Sequence, residues 1–179
     1  MSWHRGDWLA FAQAAASTIA VAAAFGVVFV QHQMHVRHTN RVAERERLRD
    51  RYQAATYAEA LLQNAIDCAV PALHDIEIVS RRSTLNGQVV FDASRLDKAS
   101  DALGQAIHNR LPSEITNAVL SAWMAAQLLC HALHRTEEIP TMNIEKLLAY
   151  CREQYSVLNS SLEVVHNSKA KWERRLNAG

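Results

Sequence analysis

Two places in the chain collect side chains that could hold a metal ion or move a proton. Cys130, His131 and His134, followed by Glu137 and Glu138, place a Cys/His pair and a His/Glu pair one helical turn apart. His32, His35 and His38 recur every three residues. A helical period of 3.6 fans that second set over about 120°, so only neighbouring pairs could share an ion. One helix can supply two ligands, but a closed or catalytic site takes three or four, and no other segment offers an evident matching set. The expectation is therefore no metal, no cofactor and no catalytic residue: a core thiol flanked by histidines at the first place, and interfacial polar side chains at the second. Other catalytic patterns are missing too. The chain has no phosphate-cradling glycine loop, no nucleophile elbow and no H-E-x-x-H. Asp67 beside Cys68 and Asp75 beside His74 read as ordinary helix-face residues. A non-enzymatic protein is expected.

The elements that must carry these residues read as helices. The 179 residues hold only five Gly and three Pro, which suits one largely helical domain. Net charge is +1, and phosphate binding needs a clustered excess of Lys and Arg on a folded face, so nucleic acid is not an expected partner. Cys68, Cys130 and Cys151 are odd in number and far apart, which reads as free thiols in a reducing compartment rather than a disulfide framework.

After a short flank, residues 1–7, the chain enters WLAFAQAAASTIAVAAAFGVVFV, Trp8 to Val30, about 23 residues without a charge. A helix needs roughly 20 to cross ~30 Å of hydrocarbon, so residues 8–30 form a transmembrane anchor. Trp3 and Trp8 stand where an interfacial aromatic belt would. A buried core helix is the weaker reading, because a helix of a globular domain normally keeps a polar face. A cleaved signal peptide has Ala22-Ala23-Ala24 in its favour, but the apolar run continues to Val30 and the flank pairs Arg5 with Asp7. Beyond the run come Arg37, Arg41, Arg45, Arg47, Arg49 and Arg51 against Arg5 alone before it. The positive-inside rule then predicts a single-pass inner (plasma) membrane protein, N-terminus out and the C-terminal domain cytoplasmic.

Residues 31–47 read as a basic helical juxtamembrane stalk, with Glu44–Arg47 and Glu46–Arg49 as i,i+3 pairs. Its Arg37, Arg41 and Arg45 are candidate contacts for anionic lipid, at about 1 kcal/mol per cation. Residues 48–179 form the soluble bundle domain. An apolar stripe begins at Leu48 and runs through Tyr52, Ala55, Leu62, Ile66, Ala69 and Leu73, with Pro71 expected to kink or interrupt it. Ser80 to Ser94 is the main break, with a turn at Asn86-Gly87 and an extended or plugging Val89-Val90-Phe91. A second helix follows, capped by Asp92 or Ser94, with Leu96, Ala99, Leu103, Ile107 and Leu111 on one face. A third opens at Pro112-Ser113-Glu114 and carries Ile115, Val119, Ala122, Ala126, Leu129 and Leu133. The fourth has the most regular stripe: Ile144, Leu148, Cys151, Tyr155, Leu158, Leu162, Val165, Trp172 and Leu176. The fold class expected is all-α, an antiparallel four-helix bundle below a membrane anchor and a stalk. KAKWERRL, Lys169 to Leu176, reads as a solvated helix end whose cations suit the macrodipole.

Val89 to Trp123, VVFDASRLDKASDALGQAIHNRLPSEITNAVLSAW, resembles an arrangement in uncharacterised bacterial proteins with an N-terminal membrane helix, an Arg-rich juxtamembrane helix and a small cytoplasmic helical domain. The resemblance covers about a fifth of the chain and implies no activity and no functional residues.

Three functions are compatible with this layout. The first is a membrane-anchored interaction or scaffold module that self-associates or tethers a cytoplasmic protein; its partners are the lipid bilayer, a second copy of the chain and an unidentified protein. Within it, Ala10, Ala14, Thr18, Ala22 and Gly26 fall four apart and form a candidate self-association face of the anchor. The second is a sensor or signalling accessory that binds a small ligand between Phe91, Trp123 and Tyr155. The third is a metal-using helical enzyme built near His134. With inverted topology, a periplasmic envelope or lysis protein would also fit.

Overall fold

In the computed structural model, residues 5–81, 91–109, 111–138 and 144–178 are described. They form four helices: α1 (Arg5–Arg81), α2 (Ser94–His108), α3 (Ser113–Glu138) and α4 (Ile144–Asn177). No strand occurs among the described residues, so the chain is all-α. It divides into two compact units, Met1–Arg47 and Leu48–Gly179.

The second unit is a helical bundle whose core draws on all four helices. Cross-helix pairs give its topology. Glu59 of α1 meets His166 and Lys169 of α4, and Glu77 meets Arg152, so α4 runs antiparallel to this part of α1. Asp97, near the start of α2, meets His134, near the end of α3, which makes those two antiparallel as well. The stripes expected from the sequence supply the core. Ala55, Leu62, Ile66 and Ala69 are buried on α1, Leu96, Ala99 and Leu103 on α2, and Ile115, Val119, Ala122, Ala126, Leu129 and Leu133 on α3. On α4, Leu158 is fully buried, whereas Leu162 lies half-buried against the core. Ala58, Ala65 and Ala72 widen the α1 stripe; small side chains at these turns let neighbouring helices approach closely.

Three local expectations are corrected. Pro71 does not interrupt α1, which continues through it to Arg81. It lies on an exposed side of the helix, where the carbonyl it leaves without a donor can turn toward solvent. The N-cap of α2 is Ala93, with no side-chain cap bond. Asp92 acts one residue earlier, its Oδ1 accepting from the Ser94 backbone N–H at 3.0 Å and from the Ser94 hydroxyl at 2.6 Å, an Asx-type turn that leads the chain into the helix. The stalk pairs Glu44–Arg47 and Glu46–Arg49 are not among the ion pairs of the described residues; exposed pairs at this spacing gain little over hydration. Of the expected plug, Phe91 is buried, while Val89, Val90 and the Asn86-Gly87 turn lie outside the described residues.

Candidate functional site

In the first unit, the apolar stretch is helical throughout its described length, and its large side chains are bare. Phe11, Ile19, Val21, Phe25, Val27, Val28, Phe29 and Val30 are each more than half exposed. A side chain of this kind gains about 1.5–3 kcal/mol on leaving water, so an apolar surface on all sides of one helix calls for a covering that is itself apolar. The helix is long and apolar enough to cross a membrane.

Two of its polar side chains are consistent with that setting. The Ser17 and Thr18 hydroxyls both donate to the Ala14 carbonyl, at 2.9 and 2.8 Å, so neither donor is left without an acceptor in a dry surrounding. The Thr18 proton is thereby used inside its own helix; only the lone pairs of its oxygen remain for a neighbouring helix. Ala14, Thr18 and Gly26 are exposed, and a Cβ added at Gly26 would meet nothing within 4 Å. Within one chain, then, nothing requires glycine there. The side chains of Ala10 and Ala22, the other members of this file, lie outside the described residues. Trp8 stacks near Phe11, ring centroids 5.9 Å apart. Arg37, Arg41 and Arg45 follow on the same helix, exposed and four residues apart, as do the exposed His32, His35 and His38.

In the second unit, the Cys130–His134 segment sits at the α2–α3 seam. His134 Nε2 lies 3.5 Å from Asp97 Oδ2, and Asp97 is also the acidic neighbour of the buried Cys130 thiol. Burial first, and that acidic neighbour second, push the Cys130 thiol far above its ordinary range. Cys151 is pushed up to about 11 by burial. Both thiols are therefore protonated near neutrality and are not nucleophiles. His131 is exposed, and the side chains of Glu137 and Glu138 lie outside the described residues. Among the described residues, no three His, Cys, Asp or Glu side chains come together as a metal-holding group.

The other polar cluster spans α1 and α4 and was not evident from the sequence. Glu59 Oε1 lies 2.7 Å from His166 Nδ1, and Glu59 Oε2 accepts from Lys169 Nζ at 2.5 Å. Lys169 also stands 5.9 Å over the Tyr52 ring, within cation–π range. Hydrogen bonds from Lys169 and then His166 hold the Glu59 carboxyl below its usual range, and the same bond to Glu59 raises Lys169. More than a hundred residues separate the partners, so no local spacing announces them. This cluster ties α1 to α4.

Of the three aromatic residues proposed to line a ligand pocket, Phe91 is buried, and Trp123 and Tyr155 are packed half-buried against the core. Trp123 closes on α2: a Cβ at Gly104 would stand 2.9 Å from its Nε1. The indole thus fills a helix–helix seam.

Comparison with known proteins finds no matching family, no matching curated protein and no matching solved structure.

Proposed function

We propose that the protein is a non-enzymatic, single-pass membrane-anchored interaction module, with its helical bundle held on the cytoplasmic side of the inner membrane. The observation that carries this reading is the bare apolar helix: its large side chains are exposed, and its internal hydroxyls are satisfied by its own backbone. Lipid covers such a surface with both hydroxyls already bonded, and the Gln13 amide is the polar group it would still have to accommodate. Arg37, Arg41 and Arg45 then stand beside the anchor on the side that the positive-inside rule assigns to the cytoplasm, where they attract anionic headgroups. The file of Ala10, Ala14, Thr18, Ala22 and Gly26 supports self-association of the anchor, because a Cβ at Gly26 would meet open space within its own chain and small residues four apart let two helices approach. The bundle serves as the tethered body that meets a second copy or a cytoplasmic protein.

Reporters fused after Gly179 test the orientation. A fluorescent protein that matures only in the cytoplasm should light up, and a phosphatase active only outside should stay silent. An active phosphatase fusion would reverse the topology and favour an envelope role.

A further inference from the structure

The outward face of α3 differs from the other faces of the bundle. From Ile115 to His134, between Glu114 and Arg135, the sequence contains no Asp, Glu, Lys or Arg. The exposed faces of the neighbours are charged, with Arg95, Lys98 and Asp101 on α2 and Arg152, Glu153, Glu163, Lys171, Glu173 and Arg174 on α4. One side of α3 is core. The other carries Leu120, Met124 and Leu128, 37%, 53% and 41% exposed, four residues apart and so in one line down the helix. Exposed Asn117, Ser121, Gln127 and His131 flank that line. An uncharged helix face with a central apolar line and a polar rim has the make-up of a contact surface.

We propose that this face docks a second copy of the chain, α3 against α3; the proposal deepens the self-association reading above and rests on it. Charge selects this occupant. A two-fold axis sets a surface against itself, and a surface without ions then brings no like charges together and buries no unpaired ion. A charged partner would lose hydration against Leu120 and Met124 and find no countercharge there. Asn117 and Gln127 each carry donors and acceptors, so identical copies can satisfy one another. Met124 is the middle and most exposed member of the line, so it is the position that reports the contact. The whole face from Asn117 to His131 covers only about four turns, so the contact falls below the ~1,200 Å² of a standard stable interface. It is weak between free chains and becomes populated when two copies share one membrane and their local concentration rises.

The test uses the full chain with Cys68→Ser, which removes the half-buried thiol and leaves the two buried ones. Into this background go M124C or, as a control on α1, Y57C, whose parent side chain is 50% exposed. Mild oxidation of whole cells should give a disulfide-linked dimer for M124C and several-fold less for Y57C. Adding L120K and L128K to M124C changes only exposed positions and should abolish the dimer by facing lysines against lysines. A monomeric M124C, an equal yield from Y57C, or indifference to the lysines would overturn the proposal. Fractionation separates this from the anchoring reading. An M124C dimer in the soluble fraction upholds docking and refutes anchoring, and membrane-held M124C that stays monomeric does the reverse.

Discussion

At the residue scale, the three cysteines differ in burial and therefore in reactivity. Cys130 and Cys151 are buried and protonated, whereas Cys68 is half-buried beside Asn64. Native protein treated with a maleimide near neutral pH should therefore label at Cys68 well before the other two, read by peptide mass spectrometry; early labelling of Cys130 would contradict its burial. The Glu59 cluster gives a pH dependence whose sign is fixed by its shifts. The lowered Glu59 carboxyl contributes stability that is complete above its ordinary value of 4.5 and lost as pH falls through its lowered one. The raised Lys169 contributes below its ordinary 10.5 and loses that contribution as pH rises through its raised value. Glu59→Gln should thus cost about 1 kcal/mol near neutrality, and its melting temperature should converge on that of the parent in acid. A difference that persists unchanged at pH 3 would mean the carboxylate charge contributes nothing. Burial of Cys130 was legible from its apolar helical context. Its partner Asp97 was not, because only the packing of α2 on α3 brings the two together.

At the element scale, the stripes were legible because helix burial follows a period that sequence displays directly. On α3 every stripe position named from sequence is buried. Illegible were features that depend on what faces an element: the continuation of α1 through Pro71, the Asp92 turn ahead of an uncapped Ala93, and the close approach at Gly104. That glycine supports a sharp test. Glycine in a helix interior costs about 0.8–1.0 kcal/mol relative to alanine, so Gly104→Ala should stabilise an isolated α2. In the folded chain its Cβ would press on Trp123 Nε1 at 2.9 Å, and displacing a packed indole costs about 1–3 kcal/mol. The net expectation is a lower denaturant midpoint for Gly104→Ala, recovered at least partly when Trp123→Phe removes the pyrrole edge. A midpoint above that of the parent would show that the indole yields freely.

At the scale of the whole molecule, the division after Arg47 separates two kinds of surface. The Leu48–Gly179 unit packs an apolar core among four helices, while the other unit leaves its largest apolar side chains bare. Length and lack of charge made a helix long and apolar enough to cross a membrane legible; the closed hydroxyl bonds at Ser17 and Thr18 add what the letters could not, since a hydroxyl reads as polar until its acceptor is known. Membrane residence by insertion, rather than by surface charge, is the central claim, and washing isolated membranes with alkaline carbonate measures it directly. That wash strips proteins held by headgroup electrostatics and leaves spanning helices in place. The full chain should stay in the pellet; release into the supernatant would contradict an anchor through the bilayer.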